Sequence, residues 1–522
     1  MFTIEEILKA TRGTLIKEGT ALLTIVPPKE QLNREQSSRY WLPQRDLVKK
    51  KPVKTIRGVS IDSRTIQPQE LFIAIKGERF DGHDYVDSAI EKQAALMIVS
   101  KKNFPSSKNS RQPPMILVAD TTKALGDLAH FHRQRFSIPI IAVTGSNGKT
   151  TTKEMIAAVL SARYNVLKNV ATENNHIGVP MTLLRLNRSH KIAVLEFGTN
   201  QFGDIRRLAE ITNPTVGLFT NIGESHLEFL KTPSGVFKEK TEMIQYMKQP
   251  AALIINRDDP HLKKILNRKF KGKIFTYGVK IDLRHSKEHS DEESHRGEIL
   301  RSAQNDGKTL LRNIPHFQAS TIKIIANTQL EFQVKRRQKF RLNTLAAHNV
   351  TNALAAIACG RLFHLSFQEI QERIANFNFP KGRQAVHRSG RFVVIDDTYN
   401  SNPVSVRSAL ETLTSLNTKG KKIFVCADML ELGSQSKELH AAIGKSVGQS
   451  PVDAVFTIGP FARLISQTVK KENKNLTADH FDTIEGVHNR LKEYCQMGDV
   501  ILVKGSRGMR MERTVEFLLR DC

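Results

Sequence analysis

The chain has 522 residues, 39% of them hydrophobic, and a formal net charge of +27 at pH 7. A chain this long divides into about three cores, and no apolar run reaches the roughly 18 residues that a membrane helix needs. The four cysteines (Cys359, Cys426, Cys495, Cys522) are scattered without a C-x-x-C pair, which indicates neither a disulfide framework nor a metal knuckle.

The start, MFTIEEILKATRG, carries Glu5 and Glu6 and lacks the basic-then-apolar layout of a secretion signal, so a cytoplasmic protein is expected. Helix-like Ile4–Thr11 and strand-like Val59–Ile61, Leu71–Ile75 and Ala95–Val99 predict a small α/β unit over 1–112. Within it, about 20–54 is polar, basic and proline-bearing and reads as an insertion. Phe104–Pro114 reads as the first boundary. From Met115 onward, strands Met115–Val118, Ile140–Val143, Ile192–Glu196, Val216–Thr220 and Ala252–Ile255 alternate with helices. They predict a central, doubly wound, mostly parallel sheet over 113–342, with ligands at the carboxyl ends of its strands. Near 281–315 the pattern collapses into a polar stretch, read as a disordered or surface insertion. Its His285, His289 and His295 read as solvated loop, not as metal ligands. The third unit, 343–522, combines an amphipathic helix Asn349–Leu362 with strands Phe392–Ile395, Lys422–Cys426, Ala454–Ile458 and Val500–Lys504. This predicts a Rossmann-like α/β domain.

The charge admits two readings, nucleic-acid binding or a basic surface serving an anionic small substrate. Basic residues gather at Arg45–Arg57 and Lys335–Arg341, and no nucleic-acid-binding motif surrounds either cluster. Both read as solvated faces, with no nucleic-acid partner.

The richest stretch is IIAVTGSNGKTTTKE, Ile140–Glu154. A buried strand runs into a glycine-rich turn and then into a helix start. Such a turn lets backbone N–H groups approach phosphates, while Lys149 supplies a cation and the Thr150 hydroxyl a Mg²⁺ ligand. Further chemistry-bearing residues stand at predicted strand ends or on a following helix. Glu196 ends KIAVLE, His226 follows the strand Val216–Thr220, and Lys240 lies in KEKTE. A carboxylate and an imidazole at that edge suit Mg²⁺ and phosphate.

Taken in order, TGSNGKTT, TENNHIGVP (172–180), EFGTN (196–200), NIGESHLE (221–228), EKTE (239–242) and NRDDP (256–260) resemble the motifs of the Mur ligases, the ATP-dependent amide-forming enzymes of peptidoglycan synthesis. So do AHNVTNALAA (347–356), KGR (381–383), DDTYNSNP (396–403), DMLELG (428–433) and KGSRGMRME (504–512). In the first unit, DSR (62–64), LFIAIKG (71–77) and DGHDY (81–85) look like the family's UDP-sugar-binding domain. DDTYNSNP and KGSRGMRME are most similar to the branch that adds D-alanyl-D-alanine.

The resemblance implies a three-domain ligase that joins UDP-N-acetylmuramoyl-tripeptide to D-alanyl-D-alanine, using ATP and two Mg²⁺ ions. The alternative is another Mur ligase or a folylpolyglutamate synthetase-like amide ligase. A monomer is expected. The implied catalytic group is Lys149, Glu196, His226 and Lys240. Thr150 and Glu196 would bind one cation, and His226 with a carbamylated Lys240 a second. The phosphates would meet Gly145, Ser146, Asn147, Gly148, Lys149, Thr150 and Thr151. Asn256 and Arg383 would contact the nucleotide, and Asp397 its ribose. Substrates would meet Asp62, Ser63, Arg64, Lys76, Gly77, Asn174, Asn175, Asn200, Asn400, Asn402, Lys504 and Ser506, with Thr199 beside Asn200. Two positions depart from the family pattern: Thr199 where alanine is common, and Ala346 where glycine is. Ala346 adds a Cβ at an expected hinge.

Overall fold

The computed structural model describes residues 1–16, 55–77, 80–101, 113–171, 173–279, 314–325, 329–335 and 338–520. The insertion read at 20–54, nearly all of that at 281–315 with its three histidines, and Cys522 lie outside the described residues. The described chain is mixed α/β with three sheets.

It forms two compact units, of which the first comprises Met1–Ser137, Glu173–Arg188 and Glu210–Thr212. Its strands are β1 (Thr14–Ile16), β2 (Val59–Ser60), β3 (Leu71–Ile73), β4 (Leu96–Ser100) and β5 (Met115–Val118), ordered β1-β5-β4-β3-β2. Only β1 runs antiparallel to its neighbour. Met115–Val118, expected to open the central sheet, therefore belongs to the first one. The alternation of strand and helix carries no mark of which sheet a strand joins, and Met97, Val99 and Met115 share one apolar core. Helix Ile4–Thr11 begins with a reciprocal cap between Thr3 and Glu6, as the sequence TIEE favours.

The second unit holds the other two sheets. The larger contains β6 (Ile140–Thr144), β7 (Val166–Lys168), β8 (Ile192–Glu196), β9 (Val216–Phe219), β10 (Ala251–Asn256), β11 (Gly272–Val279), β12 (His316–Ile325), β13 (Gln329–Val334) and β14 (Gln338–Leu342), ordered β14-β13-β12-β11-β10-β9-β6-β8-β7. From β7 to β12 neighbours are parallel, and β12–β13–β14 close the edge as an antiparallel meander. The inner parallel strands β6, β8, β9 and β10 are near-continuous apolar runs because both faces are covered; every residue of these four is buried. The sequence reading missed β7 and β11–β14. β7 is three residues long, and β12 is exposed or half-buried at most positions, so neither shows a long apolar run.

Helix His348–Leu362, expected in the third unit, packs into the central core instead. Residues Asn352–Gly360 are buried without a break, and Val350, Ala353, Leu354 and Ile357 share a cluster with Ile141, Val143 and Met155. It is buried almost all round rather than amphipathic, and its alanines suit close packing. Ala346 is buried and has no positive φ, so its Cβ introduces no backbone strain.

The last sheet contains β15 (Ala385–Arg388), β16 (Val393–Asp397), β17 (Lys422–Ala427), β18 (Ala454–Ile458), β19 (Thr477–Phe481) and β20 (Val500–Lys504), ordered β15-β16-β20-β17-β18-β19. All neighbours are parallel except β15 with β16. Apolar clusters lie against both faces.

Candidate active site

β6 feeds the loop Gly145–Gly148, and helix Lys149–Leu160 begins directly after it. Two glycines make the turn possible. Gly145 has φ +150°, and a Cβ there would stand 1.9 Å from Thr220 Oγ1; Gly148 has φ +77°, and a Cβ would stand 2.6 Å from Asn352 Oδ1. The loop is tied to the segment after β9. Asn147 N–H donates to Asn221 Oδ1 at 2.9 Å, and Ser146 exchanges hydrogen bonds with the Gly223 backbone at 2.9 and 3.2 Å. The helix N-terminus therefore points its free N–H groups and positive dipole end into a preformed turn. Thr151 is buried in the first helical turn.

Around this turn the expected ligands converge. Thr150 Oγ1 donates to Glu196 Oε2 at 2.7 Å and accepts from Arg383 Nη2 at 2.8 Å. Glu196 is buried at the carboxyl end of β8. The Lys149 ammonium folds back onto the carbonyls of Gly145 and Ser146 at 2.9 and 3.2 Å. Burial pushes its pKa below the ordinary lysine value, and Glu196 opposes that shift.

Lys240 ends up in an unusual place. It is 0% exposed near the end of helix Pro233–Thr241, and its Nζ has no hydrogen-bond partner among the described residues. Burial first, and then the Lys149 charge, push its pKa well below the usual lysine value. His226 starts a short helix, Leu227–Leu230, with φ 54°, and its Nδ1 lies 2.9 Å from Glu431 Oε2. Among the described residues no three His, Cys, Asp or Glu side chains gather as a cation site. A divalent cation here would lean on the Thr150 hydroxyl, the Glu196 carboxylate and phosphate oxygens, the oxygen-rich surroundings Mg²⁺ takes.

Asn256 is buried at the end of β10, donating to Thr220 O at 2.8 Å and accepting from Asp258 N–H at 3.0 Å. Asp397, at the end of β16, accepts from buried Lys504 Nζ at 2.6 Å, and that ammonium also reaches Asn400 O at 2.9 Å. Asn402 caps helix Pro403–Ser415 through Ser405 N–H and donates to Asn147 Oδ1 at 2.8 Å. Ser506 Oγ accepts from Leu430 N–H at 2.9 Å. Asn200 N–H donates to Asp204 Oδ2, and the Thr199 hydroxyl donates to Gln201 O, both at 2.9 Å.

The remaining expected residues fall in the first compact unit. Arg64 chelates the Asp62 carboxylate, with its closest contact at 2.7 Å, and this holds the Asp62 pKa down at about 2. Ser63 is buried; Lys76 stands 4.0 Å from Asp81; Gly77 N–H donates to Phe80 O. Just ahead of helix Gly178–Leu184, Asn175 Oδ1 accepts from Ile177 and Gly178 N–H, with Asn174 just before it.

The sequence reading gave no role to Asn221, Asn352 or Glu431. Asn221 and Glu431 lie inside the quoted motifs NIGESHLE and DMLELG. The signal was therefore present, but which member of each motif faces the loop depends on tertiary placement. Tyr399, inside DDTYNSNP, stacks under the Arg383 guanidinium at 4.1 Å.

Comparison with known proteins places the chain in a family. The Mur ligase middle domain matches residues 143–360, the Mur ligase glutamate ligase domain 382–507, and the Mur ligase family catalytic domain 55–133. A UDP-N-acetylmuramoyl-tripeptide–D-alanyl-D-alanine ligase of Bacillus subtilis (strain 168) is 35% identical over 89% of this chain and 94% of its own length. The Escherichia coli (strain K12) protein of the same name is 31% identical, with 89% and 94% covered. Among solved structures, MurF from Acinetobacter baumannii superposes with a TM-score of 0.78 at 26% identity, covering 100% of this chain and 99% of that one. MurF from Thermotoga maritima in complex with ADP gives 0.72 at 27%, covering 89% and 98%. By its matched domains and by its identity to full-length relatives, the chain belongs to the Mur ligase family.

Proposed function

We propose that the chain is an ATP-dependent ligase that adds D-alanyl-D-alanine to UDP-N-acetylmuramoyl-tripeptide in the cytoplasm, as a monomer. The observation that carries this reading is the Thr150 hydroxyl, held between Glu196 and Arg383 directly behind the glycine turn. That is an arrangement for gripping a triphosphate and the cation that accompanies it. The tripeptide carboxylate oxygen attacks the γ-phosphorus, the bond to the departing ADP breaks, and an acyl phosphate forms. The dipeptide amine then attacks the acyl carbon, loses a proton, and the carbon–oxygen bond to phosphate breaks. Mg²⁺, when bound, screens the repulsion between carboxylate and triphosphate.

This chain's own residues divide the remaining work. Loop amides and Lys149 would hold the β- and γ-phosphates. Thr150 and Glu196 would hold one cation. His226 and a carbamylated Lys240 would hold the other. Lys240 fits that modification because its amine is buried without a hydrogen-bond partner among the described residues, and a CO₂ adduct turns a group that cannot bind a cation into an anionic oxygen ligand. Asn256, Arg383 and Asp397 would orient the nucleotide. Asp62, Ser63, Arg64, Lys76 and Gly77 would take the uridine diphosphate end. Asn174, Asn175, Asn200, Asn400, Asn402, Lys504 and Ser506 would line the reacting substrates. Holding two reactants in line can supply up to about 7–11 kcal/mol of a barrier. Among the described residues no helix is long and apolar enough to cross a membrane.

The test is ADP release from ATP with UDP-N-acetylmuramoyl-tripeptide, with and without D-alanyl-D-alanine. Turnover should require the dipeptide. Better turnover with glutamate or another single amino acid would overturn the assignment in favour of another amide ligase.

A further inference from the structure

Two buried side chains have no place in the chemistry above. Lys153 is fully buried on helix Lys149–Leu160. Its ammonium donates to Asn169 O at 2.7 Å and Ala171 O at 3.2 Å, and it pairs with Glu154 Oε1 at 2.8 Å. Asn169, also fully buried, follows the last residue of β7. Backbone pairing between β7 and β8 stops at Lys168 and Val194. Beyond it the Asn169 amide takes over: Oδ1 accepts from Glu196 N–H at 2.9 Å, and Nδ2 donates to Glu196 O at 3.3 Å. A side-chain amide offers the same donor and acceptor as a peptide group, so it supplies the rung the short edge strand does not. On the other flank, Phe197 N–H donates to Val143 O at 2.9 Å.

We propose that Lys153 and Asn169 are positioning residues that fix the tip of β8 and so aim the Glu196 carboxylate at Thr150 and the cation; the proposal rests on the reading of Glu196 as a Mg²⁺ ligand. β7 is the edge of the sheet and only three residues long, so without Asn169 the N–H and C=O of Glu196 lose their pairing on that side. The turn that presents Asn169 includes Ala171 at φ +44°, a left-handed conformation that a non-glycine residue holds only when its surroundings fix it. The Lys153 ammonium, bonded to carbonyls on both sides of that turn, fixes it. Neither residue touches substrate in this scheme. Both act through Glu196.

The experiment measures ADP affinity by calorimetry with and without Mg²⁺ in the wild type, Asn169→Ala and Lys153→Met, with thermal stability in parallel. Wild type should bind ADP more tightly when Mg²⁺ is present. Loss of a group that orients a ligand typically costs about 10–100-fold in metal affinity. Asn169→Ala should therefore need about 10–100-fold more Mg²⁺ for the same gain, with Mg²⁺-free ADP affinity unchanged, and Lys153→Met should shift in the same direction. Wild-type protein without any Mg²⁺-dependent gain would overturn the reading of Glu196, and the positioning proposal with it. Variants that keep the wild-type gain, or that lose Mg²⁺-free and Mg²⁺-bound affinity equally, would overturn the positioning proposal alone. Should Asn169→Ala fail to fold, the isosteric Asn169→Asp keeps the acceptor and loses the donor, and the same expectation applies to it.

Discussion

Lys240→Met tests the most unusual side chain of the site. Methionine keeps the length and apolar volume of the lysine stem and removes the amine. That amine is fully buried and has no hydrogen-bond partner among the described residues. A buried polar group left unsatisfied costs about 1–3 kcal/mol. In buffer stripped of CO₂, Lys240→Met should therefore be more stable than the wild type by about that amount, read from the denaturant midpoint at constant slope. Turnover of the variant should nevertheless be close to zero. Added bicarbonate should raise both stability and turnover of the wild type, because the carbamate replaces the unsatisfied amine with an anion beside the Lys149 charge, and should leave the variant unchanged. Acetate should partly rescue Lys240→Ala by placing a carboxylate in the vacated space. A Lys240→Met protein with normal turnover, or a wild type indifferent to bicarbonate in both readouts, would refute the reasoning.

Other expectations are simpler to check. Lys149→Ala should lose about 10²–10³-fold in kcat, the usual size of one preorganised electrostatic contact, and near-normal steady-state turnover would remove the loop from the site. Gly145→Ala forces a Cβ to within 1.9 Å of Thr220 Oγ1, so ADP binding by calorimetry should weaken severely, and normal binding would mean the turn is not held in this form. The Asp62 carboxyl should titrate near 2 by NMR and move toward about 3.9 in Arg64→Ala. Its folded pKa lies below the unfolded one, so the pair favours folding above the unfolded value and that contribution disappears as pH falls through about 2. With Arg64 86% exposed, the gain is small, and a large stability change in Arg64→Ala at neutral pH would contradict this.

The site was more legible in the sequence than the layout of the sheets. Glycine spacing after an apolar strand marks a tight turn at a helix start, and Thr150 and Glu196 meet at the place where two parallel strands end together. Met115–Val118 and helix His348–Leu362 were recognised as elements but given to the wrong neighbours, because periodicity reports a buried face without saying what covers it. β7 and β12 escaped notice since one is too short and the other too wet to show a pattern. The lone amine of Lys240 follows only from three-dimensional packing; in sequence KEKTE looks like a solvated helix turn.

The pairing of β11 with β12 constrains how this protein can be shortened. These strands run parallel, Thr276 opposite His316 and Val279 opposite Ala319. A parallel connection takes about a dozen residues or more, where a hairpin would take two. The connection between the two strands thus has a minimum length. Trimming it to about a dozen residues should preserve the sheet, whereas joining Val279 to Pro315 by a tight turn would force β12 to reverse direction. Reversed, β12 would lose the register that sets Thr276 opposite His316, and the meander that carries Phe332 and Phe340 into the central core would have to pair anew.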